Sequence, residues 1–331
     1  MPETIAWVES PFQLLGALEA FASGRLGSRV AVLPRHGVTP LAATIDAVRG
    51  LGLPAGVEIL PPGRAPRSWG GVLALGDAFS GEVHRTLVTS RPREVVLLDD
   101  GRSTRRVMDA LVFPDVPLVR PHITPSLPRA LLARVAQMRL KRLARQNRLD
   151  VVTALRLPPA VVTAAELIGV TMYHHRFEWL RGRPGPGLPT TETVVLGTSL
   201  VANDLIAAGP YLDWVGAIAA DAPITYRAHR REDARTLGPL GADPRVTVET
   251  GQVPVEVSLR GMTARNRVLT LPTTAVSSMR LITPEARIQE FAVPDAWWLP
   301  GVPRAARLHL VPDSTPEPAD PAPSVSDLFQ G

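Results

Sequence analysis

The chain of 331 residues has no cysteine. Disulfides, thiolate nucleophiles and Cys-based zinc or iron–sulfur sites are therefore excluded, and the composition fits a reducing cytoplasm. Lysine is almost as scarce: of 36 basic residues only Lys141 is lysine. A Walker-type phosphate loop needs Gly-Lys-Ser/Thr. Lys141 sits in Leu140-Lys141-Arg142, so that loop is ruled out and Schiff-base chemistry is confined to one residue. Aromatic residues make up only 5% and no nucleic-acid module is recognisable, which argues against nucleic-acid binding. No apolar run is long enough to span a bilayer. The best stretch, 151–172, is broken by Arg156, Pro158, Pro159 and Glu166. The start, Met1-Pro2-Glu3, carries an acid and lacks the basic segment of a secretory signal. A cytoplasmic protein, soluble or peripheral, is expected. No internal repeat and no Asp-x-Asp metal motif occur.

What is present is an ordinary globular balance, 45% hydrophobic and 20% charged, with 34 prolines that punctuate many short elements. The length exceeds a usual single core, so two domains are expected. Net charge is modest, 36 − 31 = +5; the excess of arginine makes the chain basic without marking a function.

Short apolar runs alternate with helical periods. Residues 4–8, 29–33 and 94–99 predict strands; 11–22, 39–51, 76–88 and 103–111 predict helices, and Pro128 to Arg148 a long one. Strand–helix–strand order implies parallel βαβ units. The punctuation Arg181-Gly-Arg-Pro-Gly-Pro-Gly-Leu-Pro189 places a domain boundary, giving an N-terminal Rossmann-like domain over 1–185 and a second over 190–311. In the second, strands are predicted at 193–196, 224–227, 246–249, 255–258 and 268–271, with helices at 199–207 and 211–220. The Pro-rich, acidic end, 312–331, reads as a disordered tail.

Ligands on open α/β sheets bind beyond the carboxyl ends of the strands. Three strand ends there carry chemistry. Leu97-Leu98-Asp99-Asp100-Gly101 ends a strand in two carboxylates, whose mutual repulsion would raise one pKa and suit it to general-base work; Gly101 allows a sharp turn, and the competing reading is a helix cap. Tyr226-Arg227-Ala228-His229-Arg230-Arg231-Glu232 offers His229 to a phosphate, assisted by the N–H groups of a following helix, against a plain surface histidine. Pro272-Thr273-Thr274-Ala275-Val276-Ser277-Ser278 puts paired hydroxyls at a helix start, suited to phosphate or to capping.

The order of these segments resembles the bacterial sialyltransferase and polysialyltransferase group of glycosyltransferases. Glu9-Ser10-Pro11-Phe12-Gln13 is similar to that group's N-terminal Ser-Pro-x-Gln segment, and Leu196-Gly197-Thr198-Ser199 and Val253-Pro254-Val255-Glu256 to its donor-domain segments. The likeness runs from about residue 4 to 282. It implies a GT-B architecture of two facing Rossmann-like domains with an interdomain cleft, and a CMP-activated sugar acid as donor for a glycan acceptor. On that resemblance Asp100 is the catalytic base with Asp99 and Gly101 beside it and Ser10 supporting. His229 contacts the donor phosphate and acts as the acid, Ser277 and Ser278 bind the phosphate, and Glu256 holds the ribose. No metal and no cofactor beyond the donor are implied. The chain departs from the group where Arg230 replaces the proline that follows the histidine. Loss of the proline that would fix φ there loosens the loop, or else Arg230 adds a cation to the phosphate site; the departure leaves open CMP-Kdo, another nucleotide sugar, or a non-catalytic nucleotide- or glycan-binding relative.

The adjacent His174 and His175 would point to opposite faces of a strand, and Trp297 and Trp298 read as core or interface packing in preference to a sugar-stacking pair. Val116 to Leu149 holds eight basic residues and no acid. The basic helix 128–148 is a route to peripheral contact with the inner membrane face or an acidic glycan. The reading we favour at this level is a solvated arginine face with Leu131, Val135 and Met138 packed inward.

Overall fold

The computed structural model describes residues 3–304, except 100, 121–123 and 188, together with residue 307. The expected tail over 312–331 and the expected base Asp100 lie outside the described residues. The chain divides into two compact units, the first ending at Arg183 and the second beginning at Pro184.

The first unit runs β1 (Thr4–Val8), α1 (Pro11–Ala22), β2 (Val30–Pro34), α2 (Thr39–Gly50), β3 (Val57–Ile59), β4 (Val72–Leu75), α3 (Gly81–Thr89), β5 (Glu94–Leu98), α4 (Arg102–Val112), α5 (Leu127–Arg145), β6 (Leu149–Thr153), α6 (Pro159–Leu167), β7 (Val170–His174) and α7 (Glu178–Arg181). Its seven strands are all parallel, in the order β3-β2-β1-β4-β5-β6-β7. The inner strands β1, β4 and β5 are almost wholly buried, which is why they read as continuous apolar runs rather than alternating ones.

The second unit runs β8 (Thr193–Leu196), α8 (Ala208–Asp221), β9 (Ile224–Arg227), α9 (Ala234–Ala242), β10 (Val246–Glu249), α10 (Val255–Ser258), β11 (Arg267–Thr270), α11 (Ala275–Ile282), β12 (Arg287–Glu290) and a 3₁₀ turn at Asp295–Trp297. The sheet is again all parallel, in the order β10-β9-β8-β11-β12. Its core gathers Tyr211, Trp214, Phe291 and Trp297 against β8 and β9. The α/β class of two Rossmann-like domains is therefore observed.

Several local expectations differ. Residues 199–207 form turns, not a helix. Asp204 takes a left-handed φ of 52°, which Asp tolerates better than most residues, and α8 starts only at Ala208. The Val-Glu-Val-Ser pattern of 255–258 is one helical turn opened by Pro254, with Glu256 and Val257 buried. Gly76–Ser80 is a loop between β4 and α3, and Ser80 caps the helix by accepting the Glu82 N–H. The unpredicted strands β3, β4, β6, β7 and β12 are short. Leu131 and Met138 are exposed outright and Val135 just so. The buried face of α5 is made of Ala133, Ala136, Leu140, Leu143 and Ala144, because the small alanines let the helix lie close to its neighbours.

Candidate functional site

In the first unit the strand order reverses between β1 and β4, so the turns after these strands flank the switch point. Ser10 is the N-cap of α1, its Oγ accepting the Gln13 N–H at 3.3 Å, with Pro11 at the first helical position. The buried Gln13 side chain turns back and accepts the Glu9 N–H at 2.7 Å. Glu9 in turn accepts from Trp7 Nε1 and pairs with Arg35, both at 2.7 Å. The Ser-Pro-x-Gln segment is thus a knot that fixes the β1–α1 turn. Gly76, at the end of β4, lies so near that a Cβ there would fall 2.1 Å from Gln13 Oε1.

Beyond β5, Asp99 is only 1% exposed. Its Oδ1 accepts from the Gly101 N–H at 2.9 Å and Thr104 Oγ1 at 2.6 Å; its Oδ2 accepts from Thr153 Oγ1 at 2.8 Å and the Ala154 N–H at 2.9 Å. Asp99 therefore ties the β5–α4 loop to the end of β6. Asp99 faces no solvent, and α4 opens at Gly101 without a side-chain cap. Gly101 has a φ of 65°, a conformation that favours glycine, so the chain reverses there into α4. Beside this loop a small hollow is lined by Asp77, Phe79, Leu98, Ser103, Thr104 and Met108. His175, buried near Asp99, has its pKa lowered by burial; His174 is exposed, as their alternation required.

One buried carboxylate was not singled out from sequence. Glu19, on α1, is buried and accepts the Trp179 and Leu180 N–H groups at 3.0 and 2.9 Å. It thereby satisfies two donors at the start of α7. Burial raises its pKa from 4.5 to about 7.

In the second unit the switch point lies between β8 and β11. His229, in the turn after β9, is half-buried and is followed by Arg230 and Arg231, which are exposed. Burial, and then the charges of Arg230 and Arg231, push its pKa down to about 4. Its Nδ1 accepts the Arg231 N–H at 3.2 Å, so the neutral ring carries its proton on Nε2. The backbone of the same turn is held by Glu232, which accepts the His229 N–H at 2.6 Å and bonds to the Tyr226 hydroxyl and the Thr198 backbone. Tyr226 in turn touches the Tyr211 hydroxyl at 2.7 Å. Burial raises Glu232 to about 7 and pushes both phenols up. Glu232 had a place in the quoted motif but no role; its signal was the spacing of three from His229.

The expected assistance from a helix after His229 is not observed. The following helix, α9, starts at Ala234, and its N-terminus is taken by Asp233, which accepts the Arg235 N–H at 3.0 Å. The paired hydroxyls also separate. Ser278 is buried, and its hydroxyl lies 2.6 Å from Glu256 Oε1 and 3.0 Å from the Ala275 carbonyl; Ser277, one residue back on α11, is half-buried. Glu256 is buried too, which raises its pKa. Among the described residues no cluster of three potential metal ligands occurs, and no helix is long and apolar enough to cross a membrane.

No protein-family model and no curated protein matches the chain. Solved structures with a similar course of the chain include an E. coli heptosyltransferase with ADP-2-deoxy-2-fluoro heptose, covering 88% of this chain and 89% of that one at 12% identity and a TM-score of 0.42. Another is a UDP-glucosyltransferase from Polygonum tinctorium, capable of glucosylating indoxyl, in complex with 3,4-dichloroaniline; the coverage is 88% and 80%, the identity 10% and the TM-score 0.45. The glycotransferase of kitacinnamycin covers 99% and 94% at 16% identity and a TM-score of 0.41. At these values function has to be read from the chain's own residues.

Proposed function

We propose that this protein is an inverting glycosyltransferase of GT-B type. On this reading it moves a sialic-acid-like sugar from a CMP donor to a glycan hydroxyl in bacterial surface polysaccharide or glycolipid synthesis, without a metal ion. The observation that carries the reading is the turn after β9. There a neutral imidazole, with its proton on Nε2, is followed by two exposed arginines, Arg230 and Arg231, and Glu232 holds the backbone of the turn. Such a turn is built for an anionic phosphate.

In the proposed reaction the acceptor oxygen attacks the anomeric carbon and the bond from that carbon to the CMP phosphate oxygen breaks on the opposite face. Asp100 takes the acceptor proton. Negative charge accumulates on the departing phosphate, where His229 Nε2–H, Arg230 and Ser277 donate to it; each preorganised donor of this kind is worth about 3 kcal/mol. An imidazole held at about 4 is a hydrogen-bond donor rather than a standing acid at neutral pH. An adjacent phosphate dianion raises its pKa, so protonation of the leaving group follows the charge rather than precedes it. Ser278 orients Glu256 for the ribose.

The test begins with thermal shifts against CMP, UDP and ADP, and then measures CMP release from CMP-sialic acid and CMP-Kdo, with EDTA, with and without a glycan acceptor. CMP should raise the melting temperature, and Asp100→Asn should lower transfer about 10²–10⁴-fold while leaving CMP binding intact. Stabilisation by UDP or ADP but not CMP overturns the donor. CMP binding without release from either sugar would make the protein a non-catalytic binder.

A further inference from the structure

The outward face of α5 is apolar where a soluble helix is normally polar. Leu127, Leu131, Val135 and Met138 are 81%, 64%, 40% and 53% exposed. They recur at intervals of four, four and three, which confines them to an arc of about 80° and to roughly 16 Å of helix axis. The inward face uses three alanines, Ala133, Ala136 and Ala144, with Gln137, Leu140 and Leu143, while four further large apolar groups point away from the core. Phe113, 48% exposed, is tied to α5 through its carbonyl, which accepts from Lys141 Nζ at 3.2 Å.

The charges that α5 itself puts on this face have one sign, with Asp115, near Lys141, at its border. Arg134, Arg142 and Arg145 are exposed and fall in or beside the same arc, and Leu127–Arg145 contains no acid. An apolar stripe set among cations matches a surface that is anionic at the level of phosphate and apolar just beneath it.

We propose that α5 docks flat on an anionic phospholipid bilayer, with Leu127, Leu131 and Met138 entering the headgroup–acyl boundary and the arginines pairing with lipid phosphates. This surface belongs to the first unit and is independent of the donor assignment.

The test is co-sedimentation of the full chain with vesicles of phosphatidylcholine alone and of phosphatidylcholine mixed with phosphatidylglycerol. Binding is expected only to the mixed vesicles and should weaken at high salt. Each of Arg134→Gln, Arg142→Gln and Arg145→Gln should weaken it about fivefold, and Leu131→Ser with Met138→Ser about tenfold or more. Because these side chains are exposed, melting temperatures should not change, and the melts verify that the variants are folded. Equal binding to both vesicle types, or no binding, overturns the proposal. So does a dimer in sedimentation velocity that the Leu131→Ser, Met138→Ser pair abolishes, since the occupant is then a second copy of this chain.

Discussion

An alanine at position 197 would set its Cβ 2.2 Å from Glu232 Oε2, 2.8 Å from the His229 amide nitrogen and 2.9 Å from the Tyr226 hydroxyl. Side-chain carbons do not tolerate such contacts, so at least one neighbour has to leave. The backbone amide is pinned by its turn and Tyr226 is buried among Tyr211 and the sheet, which leaves Glu232 to move. Its displacement removes the acceptor of the His229 N–H. Overpacking costs about 1–3 kcal/mol, and a buried donor without its acceptor about 1–3 kcal/mol more. Together these give roughly 2–6 kcal/mol, or a fall in melting temperature on the order of 5–20 °C for a domain of this size. The assay is thermal unfolding of the full chain by calorimetry, with CMP binding measured below the transition, which should weaken as the turn loosens. Gly216→Ala is the control. It lies on α8 of the same unit with nothing within 4 Å of its new Cβ, and it should be neutral or stabilising by up to about 1 kcal/mol. If Gly197→Ala melts with the wild type, the Glu232 carboxylate does not hold the His229 turn and the reasoning fails.

Asp99→Asn should destabilise the first unit, because one amide oxygen replaces two carboxylate oxygens that serve four donors. Two donors lose their acceptor, costing roughly 2–6 kcal/mol; a wild-type urea midpoint would refute this. Glu19 titrates at about 7 when folded and at 4.5 in its ordinary state. Between those values the folded chain holds a proton that the unfolded chain has lost. Its contribution is therefore complete below about pH 4.5 and lost as pH rises through about 7, a change on the order of 3 kcal/mol. Glu19→Gln should remove that slope, so the wild-type minus variant stability difference should fall across this window; a flat difference counts against it.

Much of the strand framework was legible because inner parallel strands are apolar throughout: β1, β5, β8 and β9 lie where their sequences place them. The edge strands β3 and β12 are short and mostly not buried, so they lack the apolar run that marks the similarly short β8 and β9. The Val-Glu-Val-Ser error arises because four residues cannot distinguish a strand from one helical turn. At the site, residue types were readable but partners were not. The pairing of Ser278 with Glu256 spans 22 residues, that of Glu19 with Trp179 spans 160, and no local pattern encodes either. For α5, composition revealed the basic charge, but the usual assumption that large apolar groups point inward placed Leu131 and Met138 on the wrong side.

The Ser10–Gln13 knot has a consequence for which unit can receive a nucleotide. Folds that seat a dinucleotide keep this first crossover open with successive glycines, and the pyrophosphate rests on bare amides at the mouth of the helix. Here Pro11 has no amide proton to give, the Gln13 amide is already engaged by Ser10, and the glutamine side chain fills the gap against Gly76. That doorway is plugged by the chain itself. A dinucleotide cofactor has no berth at the first crossover, and exchanging Gln13 for a small residue would be the way to reopen it.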